Sequence, residues 1–153
     1  MEKEGQRGLK VKLHRFLHDA WPHQYQTPTE KGYPEVFDLM SHWVLTYNDI
    51  PIGYTGSLDM GHFHFVGNTY ILPEYRQSGW HSYLLSVRNA NLGLRPKITV
   101  LNPIDGAHMA NLVKVVSKLG YTPVLSYDDV SDVMSEKLYD EIRNENQQLW
   151  RMD

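Results

Sequence analysis

The sequence contains no cysteine among its 153 residues, which excludes disulfide bonds, thiolate metal sites and a cysteine nucleophile. It also lacks any apolar run that approaches the roughly 20 residues of a membrane-spanning helix, and its first residues are not a signal peptide. We therefore expect a cytoplasmic protein that has no membrane partner. The length and the hydrophobic content of 41% predict a single globular domain over residues 1–153.

An excess of positive charge is also missing, since the formal net charge is −3. The sequence therefore gives no reason to expect a nucleic-acid partner. Two histidine pairs stand at close spacing, His14 with His18 and His62 with His64. Neither pair has a third ligand nearby in the sequence, so we expect no metal site.

The first third of the chain contains two short amphipathic segments and a hairpin pattern. Residues 9–20 have helical spacing, although the alternation of Leu9, Val11 and Leu13 also fits a short strand. A second helix is predicted around Val36–Met40. Residues 42–60 then read as a hairpin that turns at Asn48-Asp49, and Pro51 indicates that the return strand has an edge or a bulge.

The remaining two thirds alternate between strand and helix patterns. Glycines at positions 93 and 120 are placed to end two of the predicted helices. The closing segment is ambiguous, because its apolar residues have helical spacing from Val130 onward. The predicted elements are a strand over 62–72, a helix over 79–92, a strand over 97–101, a helix over 106–119, a strand from Thr122, a short strand near 132–138 and a helix from about Tyr139.

The most informative segment is the polar loop between the strand that ends near Leu72 and the helix that follows. Pro73 cannot continue a ladder, and the loop contains Arg76 and Gly79 before the helical pattern begins. Such a junction places unpaired backbone N–H groups at the positive end of a helix dipole. The pattern therefore predicts a phosphate-binding loop.

This loop resembles the acyl-CoA loop of the GNAT superfamily of N-acyltransferases. The matching residues are Ile71, Pro73, Tyr75, Arg76 and Gly79, whereas His81 stands where that family has glycine or alanine. Two more segments resemble the family in the expected order. They are the hairpin return strand with Ile50, Ile52, Gly53 and Tyr54, and the segment Lys118-Leu119-Gly120-Tyr121.

The resemblance implies an α/β (α+β) fold with a central mixed sheet, mostly antiparallel, splayed between strands 4 and 5, with helices on both faces. It implies acetyl-CoA as acyl donor, with the pyrophosphate on the loop amides and the pantetheine arm along the end of the strand. The residues that would bind acetyl-CoA are Ile71, Leu72, Arg76, Gln77, Ser78, Gly79, Trp80, His81, Ser82 and Asn111.

The catalytic groups are less well defined. The resemblance puts Val116 where the family has the tyrosine that protonates the thiolate, so we consider Ser117 and Tyr121 as substitutes. We consider His64 as general base, because His62 and His64 are expected on one strand face and resemble the His-x-His pair of the arylalkylamine branch. Here the pair lies three residues further upstream of the loop arginine, which reverses its face unless a bulge intervenes.

The sequence supports an acyl-CoA-dependent N-acetyltransferase that transfers an acetyl group to a primary amine by direct attack. The alternative is a GNAT-like module with weak or no catalysis that binds coenzyme A or a protein partner, which the departures at His81 and Val116 favour. The identity of the amine acceptor does not follow from any motif. Exchange of a displaced C-terminal strand between subunits is one route to a homodimer.

Overall fold

A computed structural model of the chain describes residues 8–21, 39–76, 79–101, 106–143 and 147–153. This part of the chain forms seven strands, three α-helices and three short 3₁₀ turns. In chain order the elements are β1 (Leu9–His14), β2 (Ser41–Tyr47), β3 (Ile50–Asp59), β4 (His64–Ile71), α1 (Trp80–Asn91), β5 (Lys97–Leu101), α2 (Gly106–Lys118), β6 (Thr122–Pro123), α3 (Glu136–Ile142) and β7 (Gln148–Met152), with 3₁₀ turns at Leu17–Asp19, Pro73–Tyr75 and Tyr127–Asp129.

The strands form one sheet in the order β1-β2-β3-β4-β5-β7-β6. Strands β4 and β5 pair in parallel, whereas β1 with β2, β2 with β3, β5 with β7 and β6 with β7 pair antiparallel. The parallel ladder covers two residue pairs, His64 with Lys97 and Phe65 with Ile98, although β4 continues to Ile71. The sheet is therefore mixed and mostly antiparallel, and its short β4–β5 ladder agrees with the expected splay.

The chain divides into two compact units, each with its own contacts. The first unit lies within Met1–Leu58 and Asn68–Asn91, and the second within Asp59–Gly67 and Leu92–Asp153. The single domain expected from the length stays a prediction.

In the first unit, the predicted hairpin of β2 and β3 is confirmed. Its turn residues Asn48 and Asp49 both have positive φ, 50° and 68°, as a two-residue turn with the twist of a hairpin requires. The register between the strands shifts at Leu45/Thr46, opposite Pro51. The bulge accommodates a residue that has no N–H to donate, as the sequence predicted.

The amphipathic helix predicted for residues 9–20 is wrong, and the alternative strand is correct over Leu9–His14. All six β1 residues pair with β2, from Leu9 opposite Tyr47 to His14 opposite His42. Backbone pairing with the hairpin outweighs helical spacing here, and the helical face is not buried as a unit, because Leu13 is 48% exposed. The helix predicted around Val36–Met40 falls mostly on residues outside the described part of the chain.

In the second unit, helix α2 ends at Lys118, and Gly120 follows with φ of +104°, as predicted. Two apolar clusters form the core of this unit. One contains Phe63, Ile98, Val130, Met134 and Leu149, and the other contains Val66, Leu101, Val116, Tyr121 and Trp150.

The strand predicted near 132–138 is wrong. Residues 130–134 form turns that bury Val130 and Met134, and α3 begins at Glu136 because the Ser135 side chain caps the amide of Leu138 at 3.1 Å. The closing strand is β7, which lies between β5 and β6. β7 contains few alternating apolar residues. The apolar residues before it have helical spacing, and this longer pattern concealed the strand in the sequence. No helix in the described ranges combines the length and hydropathy needed to cross a membrane.

Candidate active site

The candidate site is built on the junction between β4 and α1 in the first unit. The end of β4 is held against β3, since the amide of Leu72 donates to the carbonyl of Ile52 at 2.8 Å. Gly53 is needed for this close approach, because a Cβ there would lie 2.9 Å from the carbonyl oxygen of Tyr70. Ile71 and Leu72 are both buried, so the strand end that leads into the loop has a fixed position.

Gly79 forms the entrance to α1. Its φ of +80° favours glycine, and a Cβ at this position would meet no atom of the described residues within 4 Å. The amide of Tyr83 donates to the Gly79 carbonyl at 3.1 Å, which places Gly79 directly before the first helical turn. First-turn amides have no acceptor within their own helix, so the open side of Gly79 suits an anion. Gln77 and Ser78 lie outside the described residues.

Arg76 is exposed next to this helix start, and its side chain turns back onto β4. Its Nε donates to the carbonyl of Ile71 at 2.8 Å, and its Cζ lies 5.2 Å from the ring centre of Tyr70. The hydrogen bond and the cation–π contact together hold the guanidinium beside the loop. A fixed positive charge at this place adds to the helix dipole in attracting an anion.

Trp80, the first residue of α1, contacts the rings of two tyrosines from different elements. Its ring centre lies 5.3 Å from that of Tyr75 in the loop and 5.3 Å from that of Tyr47 at the end of β2. These ring contacts tie the loop and the helix start to the sheet. The side chains of His81 and Ser82 follow in the first turn and are partly buried.

A buried polar ladder attaches α1 to β3 and β4. Arg88 donates from Nη1 to the hydroxyl of Thr55 at 2.7 Å, and that oxygen lies 2.7 Å from the hydroxyl of Thr69. Arg88 Nε also donates to Asn89 Oδ1 at 3.0 Å. The helix that presents the candidate anion site is therefore fixed at its C-terminal half as well.

On the same part of β4, Asn68 has a φ of +53°, which is unusual inside a strand. Its Nδ2 donates to Nε2 of His42 at 2.8 Å, so the His42 proton is on Nδ1. His42 is fully buried. Burial lowers the pKa of His42 to about 4, although a hydrogen bond with the backbone of Met40 opposes this shift.

Aromatic rings surround this pair. The ring centre of Tyr54 lies 5.7 Å from that of His42 and 5.9 Å from that of Tyr70, and Trp21 contacts both tyrosines edge-on. The sequence did not point to His42 or Asn68. The one available signal was Gly56, which pairs with His42 and leaves no β3 side chain beside it.

The histidines considered as general base lie in the second unit. His62 is exposed in a bend before β4, whereas His64 is the first residue of β4 and is buried, so the expectation of one shared strand face is wrong. Burial lowers the pKa of His64, and the cation of Arg95 lowers it further. The irregularity at Asn68 lies between His64 and the loop along the chain. A general-base role for His64 stays a prediction.

The groups considered as general acid also lie in the second unit. Tyr121 is buried in the second apolar cluster together with Val116, and Ser117 is exposed near the end of α2. The backbone of Asn111 is in α2, but its side chain is outside the described part. The roles of Tyr121, Ser117 and Asn111 stay predictions.

The β4–α1 junction has the features of an anion-binding site, namely an approach at Gly79 that the described residues leave open and the exposed Arg76 beside it. Within the described ranges, no three histidine, aspartate or glutamate side chains are grouped in a way that would hold a metal ion.

Comparison with known proteins identifies the fold. No family model and no curated protein matches the sequence. Solved structures do match. An IAA acetyltransferase from Bacillus cereus ATCC 14579 has a TM-score of 0.61 at 12% identity, covering 94% of this chain and 98% of that chain. A GNAT family acetyltransferase from Elizabethkingia anophelis with acetyl-CoA bound has a TM-score of 0.59 at 13% identity, with 96% and 99% covered.

A third similar structure is the N-acetylglutamate synthase from Neisseria gonorrhoeae complexed with coenzyme A and N-acetyl-glutamate. It has a TM-score of 0.60 at 11% identity, and the match covers 94% of this chain but 35% of that one. Similarity at these identities establishes the fold alone. The chain therefore has the GNAT acetyltransferase fold, as the three sequence segments predicted.

Proposed function

We propose that this protein is an acyl-CoA-dependent N-acyltransferase, with acetyl-CoA as donor and a primary amine as acceptor. The observation that carries the proposal is the β4–α1 junction, where Gly79 opens the start of a 12-residue helix beside the fixed guanidinium of Arg76. The fold supports it, because acetyltransferases with this fold include one with acetyl-CoA bound.

The donor would bind at the loop through its charged end. The amides at the start of α1 donate to the pyrophosphate, and Arg76 adds positive potential next to them. The pantetheine arm carries amide groups, so it can pair with the end of β4 in the way that an extra strand adds to a sheet edge. Gln77, Ser78, Ser82 and Asn111 complete the proposed binding set.

The reaction itself needs no covalent intermediate on the protein. The neutral amine attacks the thioester carbonyl carbon, the carbon–sulfur bond breaks, and the products are an amide and coenzyme A. The amine loses one proton and the thiolate gains one, so a base and an acid assist without net consumption. His64 is the proposed base, and Tyr121 or Ser117 the proposed acid.

Release of free thiol from acetyl-CoA in the presence of a panel of primary amines tests the proposal, and a matched pair of glycine variants tests the site. Gly79 and Gly93 have φ of +80° and +79°, and within the part of the chain that the structure describes a Cβ at either position meets nothing within 4 Å. Gly79→Asp and Gly93→Asp therefore introduce the same charge and the same backbone strain. We expect Gly79→Asp to raise the KM for acetyl-CoA at least tenfold, because its carboxylate repels the pyrophosphate.

Gly93→Asp should leave that KM within about twofold of wild type, and both variants should unfold at similar urea concentrations. Equal KM values in the two variants would mean that the loop before α1 is not the donor site. A loss of folding in both variants is resolved with Gly79→Ala and Gly93→Ala, which add a smaller side chain at the same backbone positions.

Two residues favour a second candidate function, a coenzyme-binding module without turnover. Val116 is buried in the apolar cluster where the resemblance expects a tyrosine, and His81 lies in the first turn of α1. A protein that binds acetyl-CoA but releases no thiol with any amine would be the coenzyme-binding module instead. Tenfold tighter binding of acetyl-CoA by His81→Ala would indicate that the histidine obstructs the site.

A further inference from the structure

The two faces of the sheet differ at the end of β4. The Thr69 hydroxyl lies 2.7 Å from the Thr55 hydroxyl, which accepts a hydrogen bond from Arg88 of α1, so α1 packs on that face. Successive side chains of a strand point to opposite faces, and Tyr70 therefore lies on the face away from α1. An acceptor that reaches the end of β4 without displacing α1 approaches from the Tyr70 face.

The guanidinium of Arg76 packs on this same face and is held at two points. Its Nε donates to the carbonyl of Ile71 at 2.8 Å, and its Cζ lies 5.2 Å from the ring centre of Tyr70. The buried rings of Tyr54 and Trp21 fix the Tyr70 ring in turn, with centres 5.9 and 6.1 Å away. The guanidinium thus has a set position before any ligand binds, which reduces the entropy that binding costs.

Because Nε is bonded, the two Nη groups of Arg76 are the donors that remain for a ligand. Within the described ranges, neither Nη donates to a protein acceptor, and no carboxylate forms an ion pair with the guanidinium. Arg76 is exposed, so a ligand can reach it. Two parallel N–H groups match the two oxygens of a carboxylate. The charge of Arg76 still raises the potential at the phosphate site, since Coulomb attraction does not require contact.

We propose that Arg76 binds a carboxylate of the acceptor, which makes the acceptor class amines that carry a carboxylate, as amino acids do. The donor phosphates are proposed to lie at the start of α1, which packs on the other face, so the anion that fits the Arg76 fork belongs to the acceptor. This inference rests on the proposed acyltransferase function and names a specificity determinant of the same site. Tyr70 is a positioning residue that acts through Arg76.

The test compares each acceptor with its own carboxamide. The probes are the common α-amino acids, β-alanine and γ-aminobutyrate, and each carboxamide keeps the amine and the size but has no negative charge. The readout is the ratio of kcat/KM for the acid to kcat/KM for the amide, measured by thiol release from acetyl-CoA. Without recognition the amide reacts faster, because its amine is less basic and more of it is neutral. We expect a wild-type ratio of about ten or more for the pairs that react.

Two arginines allow a matched control. Arg76 and Arg143 are both exposed, and each lies over a tyrosine ring, with Cζ 5.2 and 5.7 Å from the ring centre. Arg76→Lys keeps the charge but not the bidentate pair, so it should lower the acid-to-amide ratio about tenfold, whereas Arg143→Lys should leave it within about twofold. Tyr70→Leu should lower the ratio too, and Tyr70→Phe should retain it, because a phenylalanine ring still packs against the guanidinium.

The outcomes separate this inference from the proposed function. If the wild type binds no acetyl-CoA, or releases no thiol with any primary amine, the proposed function fails and this inference fails with it. If it acetylates the amides and uncharged amines at least as well as the amino acids, only the acceptor class is overturned. A raised KM for acetyl-CoA in Arg76→Lys with an unchanged acid-to-amide ratio would also contradict the inference, because the fork then binds the donor. The two lysine variants decide the matter if Tyr70→Leu does not fold.

Discussion

His42 is the residue whose surroundings have the clearest thermodynamic consequence. Its pKa falls from an ordinary value near 6.5 to about 4 because the ring is buried. The unfolded chain therefore binds a proton between these two pH values that the folded chain does not bind. Stability from this group is fully present above pH 6.5 and is lost as the pH falls toward 4.

This predicts a pH dependence that a single substitution removes. Between pH 7 and pH 5 the His42 contribution to the free energy of unfolding should fall by about 2 kcal/mol. Urea unfolding of wild type and His42→Gln at the two pH values measures it, because the remaining histidines titrate in both proteins. Parallel losses in the two proteins would mean that His42 is not the buried neutral group described here.

The residues with positive φ differ in how well the sequence predicts them. Gly79, Gly93 and Gly120 all have the positive φ expected of them, since a glycine between two patterned segments is typical of a helix end or a tight turn. Asn68 also has a positive φ, but the sequence does not indicate it, because asparagine is common at ordinary strand ends and turns. Its partner His42 is 26 residues away, and only the register of three strands brings the two together.

Between elements of the second unit, two arginines each donate two hydrogen bonds to one aspartate, and these two arginine forks differ in burial. Arg151 of β7 donates to both oxygens of Asp132 at 2.7 and 2.8 Å and to the carbonyl of Asp129 at 2.8 Å. Arg95 donates to both oxygens of Asp59 at 2.8 and 3.1 Å and to the carbonyl of Gly61 at 2.7 Å. The acceptor carboxylates are equally exposed, but the Arg151 side chain is 15% exposed and that of Arg95 is 42%.

Lysine keeps the positive charge but cannot donate two parallel hydrogen bonds to one carboxylate. Substitution by lysine therefore measures the contribution of the bidentate geometry. Arg151→Lys should lower the free energy of unfolding by about 1–2 kcal/mol, since the hydrogen bonds that it loses come from a guanidinium that is largely shielded from water. Arg95→Lys should lower it less, because water replaces the lost hydrogen bonds at an exposed pair. Urea unfolding at pH 7 compares them. An equal or larger loss for Arg95→Lys would show that burial does not determine the strength of these forks.

The helices and strands were predictable where the spacing of the apolar residues and the flanking turn residues indicated the same element. The hairpin, α1, β5 and α2 lie within a few residues of their predicted bounds because each apolar pattern ends at a turn residue. The two wrong elements, at residues 9–20 and 132–138, carry apolar residues that fit more than one period. The conformation of the first segment depends on its pairing with β2, and that of the second depends on the packing of the turns around Val130. Neither contact can be read from the residues of the segment alone.

For the whole molecule, the fold was predictable because three separated segments resembled one family in the correct order. The function is less determined than the fold. The similar structures share 11–13% identity with this chain, so the proposed activity is argued from the geometry of residues such as Gly79 and Arg76 rather than from similarity. The homodimer also stays a prediction, and β7 pairs within its own chain, with β5 and β6.

Titration calorimetry of the wild-type protein with acetyl-CoA would show whether the β4–α1 junction binds an acyl-CoA. We expect one acetyl-CoA to bind per chain with a micromolar Kd that weakens as salt is added, because loop amides and Arg76 would hold a charged pyrophosphate. No heat of binding at millimolar acetyl-CoA, from a protein that unfolds cooperatively in urea, would contradict it.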